Sequence, residues 1–206
     1  MAQKNEKKDT EKDILEAAKK IFHEKGYAGA RMQAIADEAN INKAMLHYYY
    51  RSKDILFIKI LEGAVETISN YFIPALSSEG SVFEKIERLV YGYTEAISKN
   101  PHIPMFVVNE LSRDGGNFHT RLREKLNTNS VFLKFIGQIQ EEQKQGILKP
   151  IAPHHLVLTV ISLIIFPFIT KPAVVSMLNI SDARYNEMMQ ERREIVLDII
   201  RSSFMQ

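Results

Sequence analysis

Residues 31–53 read RMQAIADEANINKAMLHYYYRSK, and this stretch decides the fold of the chain. In its first part, apolar residues recur at spacings of three and four from Met32 to Ala39, which predicts a short amphipathic helix. Asn40 follows, and asparagine tolerates the left-handed backbone conformation that ends a helix. Asn42 can cap a second helix, because its side-chain oxygen can accept a hydrogen bond from a free backbone N–H. The stretch therefore predicts a helix, a tight turn and a second helix.

The second helix, KAMLHYYY at residues 43–50, has two different faces. Consecutive helical residues point about 100° apart, so the three successive tyrosines cannot share one face. We expect an inward face made of Leu46, Tyr49 and Tyr50. The outward face then consists of Lys43, Ala44, His47 and Tyr48. A surface that serves only solubility more usually carries Glu and Lys, so outward-facing rings beside a cation indicate a contact surface.

This stretch and its flanks resemble the DNA-binding helix-turn-helix of the TetR/AcrR family of transcriptional regulators. The matching residues are Gly26-Tyr27, Ile35-Ala36, Ala39, Ile41, Leu46 with the aromatic run to Tyr50, Ser52-Lys53 and Leu56. The resemblance runs in order from Ile14 to Leu56, and beyond that it is one of architecture, an all-helical remainder of the expected length.

The resemblance and the helical geometry together indicate a set of DNA-facing residues. A recognition helix enters the major groove with its N-terminal half at the base edges, which suits Lys43 for a guanine edge or a phosphate. Tyr49 and Lys53 are expected at phosphates, as are two residues of the preceding helix. The full expected set is Arg31, Gln33, Lys43, Ala44, Met45, His47, Tyr48, Tyr49 and Lys53. The alternative, that the tyrosines only pack, applies to Tyr50 and in part to Tyr49.

The chain departs from the family pattern at several positions of the motif. Ala30 and Arg31 stand where the family often has Thr or Ser, so the first helix of the motif lacks a side-chain N-cap. Asn40 and Ala44 stand where the family often has Gly, and His47 stands where it often has Tyr. Each of these changes is compatible with the fold.

The remaining patterns predict an all-α chain, because no stretch alternates apolar and polar residues as a strand would. We expect a disordered tail at 1–9, a three-helix DNA-binding head at 10–52, and a helical ligand-sensing and dimerisation domain at 53–206. Gly26 ends the first helix of the head, and Ser52 caps a helix of about 25 residues. The later helices are expected from Ser81, at 101–113, at 117–145, from Pro153 to about Leu178 with a kink or break near Pro172, and from Ser181 to about Phe204.

The composition excludes several classes of protein. The chain has 206 residues, of which 45% are hydrophobic and 25% charged, as in soluble globular proteins. The absence of cysteine excludes disulfides, thiolate metal sites and a thiol nucleophile. The polar N-terminus lacks the apolar core of a signal peptide, so we expect a cytoplasmic location. Residues 1–60 hold 12 Lys and Arg against 9 Asp and Glu, a mild positive excess that permits nucleic-acid binding there.

The most apolar run, LVLTVISLIIFPFI at 156–169, predicts an interface. Its 14 residues are fewer than the roughly 20 that span a membrane, so no membrane is expected. A helix that is apolar all round must be covered on every side. We expect the helices at about 153–178 and 182–204 to pair with those of a second copy in a four-helix bundle, as the resemblance also implies. The alternative is a purely internal core.

The resemblance further implies a small ligand held among the middle helices. A mixed apolar pocket with a few polar groups suits such a ligand. The residues expected to line it are Tyr91, Phe106, Asn109, Glu110, Phe118, His119 and Phe135. Ordinary packing or solvent exposure is the alternative for each. A ligand there would act on DNA binding by shifting the long helix that begins after Ser52.

No pattern of an enzyme stands out. The sequence has no HExxH, no phosphate-binding glycine loop and no serine elbow, and His154 and His155 are adjacent and so face apart on a helix. We expect no catalytic residue, no metal and no cofactor. The function expected is that of a ligand-responsive regulator, a repressor that binds a palindromic DNA operator as a homodimer and is released by a small-molecule effector. The rivals are a small-molecule-binding or enzymatic helical bundle whose head does not bind DNA, and an interaction protein that uses the same helix on a protein.

Overall fold

The computed structural model describes the backbone of residues 2–101, 103–112 and 128–206. This part of the chain contains no β-strand, although an isolated bridge pairs Leu148 with Met205. Its helices are α1 (Ala2–Gly29), α2 (Met32–Glu38), α3 (Lys43–Tyr49), α4 (Lys53–Ser77), α5 (Val82–Lys99), α6 (Ile103–Ser112), α7 (Thr128–Lys144), α8 (Pro153–Ile169), α9 (Lys171–Leu178) and α10 (Asp182–Phe204). The all-α fold expected from the sequence is confirmed.

The chain divides into two compact units, Met1–Ala64, which we call the head unit, and Val65–Gln206, which we call the C-terminal unit. The boundary falls inside helix α4, after its third turn, whereas the sequence placed it at the start of that helix. The helix expected at 117–145 is described only from Thr128, so its first part lies outside the described residues.

Helix α1 begins earlier in the chain than the sequence predicted. It begins at Ala2, so residues 2–9, which were expected to form a disordered tail, are helical in this structure. The polar residues of that segment include Lys, Glu and Gln, which are good helix formers and allow the helix to continue without an apolar face. At its other end the helix is interrupted at Gly26, whose φ of 63° is open to glycine without strain.

The first three helices share one core. Six of its side chains are each at most 5% exposed, and they are Ile14, Ile21, Phe22, Ile35, Leu46 and Tyr50. Helix α2 packs against both α1 and α3, so this core holds the two short helices to the longer one. Short helices gain most of their stability from such packing.

The turn between α2 and α3 has the predicted geometry. Asn40 has a φ of 57°, in the left-handed region, and the Ile41 N–H donates back to the carbonyl of Ala36. Asn42 then caps α3, because its Oδ1 accepts a hydrogen bond of 2.7 Å from the Met45 N–H. At the start of α2, the N-cap Arg31 makes no side-chain cap bond, as expected from the missing hydroxyl.

The C-terminal unit is organised around α5. This helix packs against α7, α8 and α10, and α6 packs against α8. Ser81 and Glu84 form a capping box at its start, in which each side chain bonds the backbone N–H of the other residue. Its inner face includes Val82, Ile86, Leu89, Val90, Tyr93 and Ile97, all of them buried.

The apolar segment at 153–178 forms two helices. Helix α8 ends at Ile169, and α9 begins at Lys171 after a bend of 63°. Pro172 lies in the first turn of α9, where its missing N–H breaks no helical hydrogen bond, so the break precedes the proline. Within the described residues no single helix is long and apolar enough to cross a membrane, although this bent pair reaches the required length and composition.

Helix α10 is capped by Ser181, whose hydroxyl accepts a hydrogen bond from the Arg184 N–H. The apolar residues in the C-terminal half of this helix fall into two groups. Val196 and Ile200 are buried, whereas Ile195 and Ile199 are 52% and 38% exposed. The helix therefore has an inner apolar face within the chain and a second, uncovered one.

Replacing the cap of α3 tests the local basis of the fold. The substitution Asn42→Ala removes the acceptor for the Met45 N–H and should lower the free energy of unfolding by about 1 kcal/mol. Urea unfolding followed by circular dichroism measures this change. The matched variant Asn42→Ser keeps an acceptor and should lose much less. Equal losses in the two variants would mean that the cap is not what stabilises α3.

Candidate nucleic-acid interface

Helix α3 turns one face inward and one outward. Leu46 is fully buried, and Tyr50, at the C-terminal cap, is 5% exposed, so both belong to the core of the head unit. Tyr49 is half-buried. The exposed side chains of the helix are Lys43, Ala44, Met45, His47 and Tyr48. Tyr48 is 70% exposed, so an aromatic ring with a polar tip stands in solvent, which is typical of a contact surface.

The exposed rings of α3 are held by local contacts. The rings of Tyr48 and Tyr49 meet edge to face, with centroids 5.6 Å apart. The Nδ1 of His47 lies 3.3 Å from the carbonyl oxygen of Arg51. Because a carbonyl oxygen can only accept, this hydrogen bond requires a proton on Nδ1 and leaves Nε2 of the neutral ring as an acceptor. The outward nitrogen of His47 can then accept from the amino group of a base.

Helix α2 contributes two of the predicted DNA-facing residues. Arg31 and Gln33 are both exposed at its start. The amide of Gln33 donates a hydrogen bond of 2.7 Å to Asp37. Arg31 precedes the helix as its N-cap, where its side chain makes no bond to the helix.

The acidic groups of α2 are engaged by other side chains. Asp37 accepts the hydrogen bond from Gln33, and Glu38 forms an ion pair of 2.6 Å with Lys20. The hydrogen bond to Glu38, together with its charge, raises the pKa of Lys20. Helix α3 itself has no acidic residue. The exposed face of α3 therefore combines a cation with hydrogen-bonding rings, a combination suited to a polyanion.

Lys53 has contacts that the sequence did not indicate. Its ammonium donates hydrogen bonds of 2.9 Å and 3.2 Å to the carbonyl oxygens of Tyr27 and Ala30. It also lies 4.3 Å from the centroid of the Tyr27 ring. This lysine was expected at a DNA phosphate, and the structure shows its charged group bonded within the protein.

Tyr50 joins the end of α3 to α1. Its hydroxyl donates a hydrogen bond of 3.0 Å to the carboxylate of Glu11. Burial of the ring, with the hydrogen bond to Glu11, raises the pKa of Tyr50 well above its ordinary value. The contact fixes the C-terminal end of α3, so Tyr50 has a structural role in the head unit.

The residues expected to bind a ligand have different surroundings. Phe135 is 5% exposed in the core of the C-terminal unit, Phe106 is half-buried and Asn109 is exposed. Tyr91 is 37% exposed and donates a hydrogen bond to Glu194, and the guanidinium of Arg193 lies 5.2 Å from the centroid of its ring. The hydrogen bond to Glu194 raises the pKa of Tyr91. Phe118, His119 and the side chain of Glu110 lie outside the described residues.

A groove along α8 was not anticipated as a site. Its volume is about 450 Å³, and its lining consists of Ile161, Ser162, Leu163, Ile165, Phe166, Ile169 and Arg192. In the sequence, the signal for this groove is the continuous apolar run of α8, which predicts an interface.

Two residues beside Lys53 were also not anticipated as functional. Tyr27 and Asp54 contact each other, and the ring of Tyr27 lies against the Lys53 ammonium.

The head unit matches a known family. Residues 14–60, which span α1 to the first turns of α4, match the family model of bacterial regulatory proteins of the tetR family. The head unit carries the DNA-binding domain of the TetR family. The resemblance expected from the sequence is therefore confirmed.

Curated relatives are transcriptional regulators. The chain is 28% identical over 167 residues to the probable HTH-type transcriptional regulator YttP of Bacillus subtilis, covering 79% of each protein. It is 43% identical over 53 residues to the HTH-type transcriptional repressor NicS of Pseudomonas putida, covering 26% of this chain and 25% of that protein. The first likeness extends well beyond the head unit.

A solved structure shares the fold of the chain. AibR, in complex with isovaleryl coenzyme A and operator DNA, superposes with a TM-score of 0.64 over 77% of this chain and 85% of its own. The two sequences are 16% identical over this match. The likeness therefore shows a common fold, with a helix-turn-helix head and a helical C-terminal part, and no more.

Raising the pH tests the burial of Tyr50. A tyrosine whose pKa is raised in the folded state contributes stability that is complete below pH 10 and is lost as the pH rises above it. At pH 7, Tyr50→Phe should cost about 1 kcal/mol, because it removes the hydrogen bond to Glu11. Urea unfolding between pH 7 and pH 11 should show this cost shrinking above pH 10. A constant cost across that range would contradict the assignment.

Proposed function

We propose that the chain is a ligand-responsive transcriptional repressor that binds a two-fold symmetric DNA operator as a homodimer. The observation that carries the proposal is the outer face of α3, which presents Lys43, His47 and Tyr48 to solvent while Leu46 and Tyr50 are buried beneath it. A DNA-binding regulator works where the DNA lies, so the proposal includes a cytoplasmic location. It includes no catalytic activity, because the curated relatives are transcriptional regulators.

In this proposal, α3 enters the major groove. Its N-terminal half, with Lys43, Ala44 and Met45, reaches the base edges, where the amine of Lys43 suits guanine and the apolar groups suit thymine methyls. His47 and Tyr48 extend the contact along the groove. Arg31, Gln33 and Tyr49 are assigned to the phosphate backbone, because they flank the helix on its exposed side.

Replacing Tyr48 tests this assignment. Tyr48→Ala removes the most exposed ring of α3 and should weaken specific DNA binding by roughly ten-fold or more, as the loss of a base contact does. Fluorescence anisotropy with a duplex selected by the wild-type protein from a random library measures the effect. The control Lys134→Ala changes an exposed residue of α7 and should leave binding unchanged. Unchanged affinity in Tyr48→Ala would exclude this face as the DNA contact.

The homodimer is supported by uncovered apolar faces on α8 and α10. On α8, Leu158 and Phe166 are 58% and 63% exposed, and on α10 Ile195 and Ile199 are 52% and 38% exposed. Each pair recurs at helical spacing and so lies along one side of its helix. We call these four residues the dimer face. A contiguous exposed apolar surface usually marks a protein interface, and two helices from each copy can close it as a four-helix bundle.

A charge in the dimer face tests the assembly. Phe166→Asp should convert the dimer into a monomer at micromolar concentration, because the carboxylate would be buried without a partner. Sedimentation velocity measures the change. The control Leu133→Asp alters an equally exposed apolar residue of α7, outside the dimer face, and should remain a dimer. A Phe166→Asp variant that stays dimeric would place the interface elsewhere.

The ligand response is proposed for the C-terminal unit. AibR is a protein of this fold that has been crystallised with both isovaleryl coenzyme A and operator DNA, which supports an effector for the present chain. The proposed lining residues are Tyr91, Phe106, Asn109, Glu110, Phe118, His119 and Phe135. Helix α4 runs continuously from Lys53 to Ser77, so a ligand that shifts its C-terminal half can act on the head unit.

A further inference from the structure

The start of α4 is fastened to the end of α1 by a set of residues that we call the Lys53 cluster: Tyr27, Ala30, Lys53, Asp54 and Phe57. The Lys53 ammonium bonds the carbonyl oxygens of Tyr27 and Ala30 at 2.9 Å and 3.2 Å. The Tyr27 hydroxyl donates to Asp54, the residue that follows Lys53. Two successive residues of α4 therefore hold the same short segment of chain.

Aromatic packing surrounds these polar contacts. The Tyr27 ring meets Phe57 edge to face, with centroids 4.8 Å apart, and it stacks with Phe22 at 6.2 Å. The Lys53 ammonium lies 4.3 Å from the centroid of the same ring, within the range of a cation–π contact. Phe22 and Phe57 are 2% and 7% exposed, so the cluster rests on the core of the head unit.

The position of the ammonium follows from helix electrostatics. The last carbonyl groups of a helix have no partner within the helix, and a cation at this end is favourable. Helix α1 is interrupted at Gly26 and ends at Gly29, so the carbonyls of Tyr27 and Ala30 lie at its C-terminal end. Lys53 supplies a cation to both oxygens. Two of the three N–H donors of the ammonium are thereby engaged within the protein, and swinging the side chain out to a DNA phosphate would break these two charge-assisted hydrogen bonds.

We propose that Lys53 is a positioning residue, which fastens the start of α4 to the end of α1 and thereby sets the orientation of α3 for DNA, without itself contacting a phosphate. Helix α3 ends at Tyr49, and only three residues separate it from α4. A movement of α4 away from α1 must therefore break the Lys53 bonds, and through this short linker it would also displace α3. The inference rests on the DNA-binding function proposed above.

The salt dependence of DNA binding distinguishes a lysine that contacts a phosphate from one that only positions a helix. Each phosphate contact that is lost reduces the slope of log K against log salt by about 0.9, because one condensed cation fewer is released. Lys53→Met keeps the aliphatic stem and removes only the ammonium. It should weaken binding to a wild-type-selected duplex by about ten-fold, the usual effect of losing a charge-assisted bond, with the slope unchanged. Lys53→Arg, which retains a cation and donors, should restore part of the affinity.

The matched variant is Lys43→Met, which removes an ammonium from the exposed face of α3. It should weaken binding and also reduce the salt slope. Circular dichroism checks that Lys53→Met stays folded. If the slope of log K against log salt for this folded variant falls by about 0.9, Lys53 contacts a phosphate, and the positioning role is overturned. Unchanged affinity in Lys53→Met also overturns it. If the wild-type protein selects no sequence from the library, the DNA-binding function itself is wrong.

Chemical labelling of the wild-type protein provides a test that needs no variant. Acetylation with a limiting reagent, read by mass spectrometry, should modify Lys53 slowly in the free protein and equally slowly on the selected duplex. Lys43 should react readily when free and be protected by DNA. A Lys53 that reacts readily in the free protein and becomes protected only on DNA would overturn the proposal.

Discussion

The burial of Leu46 and Tyr50 beneath α3 is the constraint on which the candidate interface depends. Helix α3 has seven residues, and an isolated helix of that length does not persist in water. It exists because Leu46 is fully buried in the core and Tyr50 is anchored to Glu11 of α1. Residues on the opposite side of the same short helix are thereby presented in fixed directions. A rigid element is what a surface needs to recognise a partner of defined shape.

The same division between an inner and an outer face recurs in the C-terminal unit. Helix α10 buries Val196 and Ile200 within the chain, and its outer face exposes Ile195 and Ile199. Helix α8 likewise leaves Leu158 and Phe166 uncovered. The groove that Phe166 lines also contains Arg192, whose buried Nε bonds none of the residues that the structure describes. A second copy can cover these faces, and pairing of two copies is also what two recognition helices require.

Much of the head could be predicted from the sequence, because its determinants are local. The inward direction of Leu46 follows from the helical period, the left-handed Asn40 from its residue type, and the capping role of Asn42 from its side chain. The engagement of Lys53 could not be predicted, because it depends on where the carbonyls of Tyr27 and Ala30 lie in three dimensions.

The C-terminal unit was harder to anticipate for the same reason. Its helices could be predicted from their apolar patterns, and the helices expected from Ser81 and Ser181 do begin there. Which residues meet across helices depends on long-range packing, which periodicity does not encode. The separation of Ile195 from Val196 into different environments is an example, because adjacent residues can face a partner and the core respectively. The ligand-lining residues therefore remain a prediction.

The central claim is that two heads, joined by paired C-terminal units, bind one duplex. Selection of random duplexes by the full-length protein, followed by sequencing, tests it most directly. The account predicts an enriched site with two inverted half-sites whose centres lie about 10 base pairs apart, or a multiple of that spacing, because each recognition helix occupies a major groove on the same side of the DNA. Enrichment of a single asymmetric site, or of none, would contradict it.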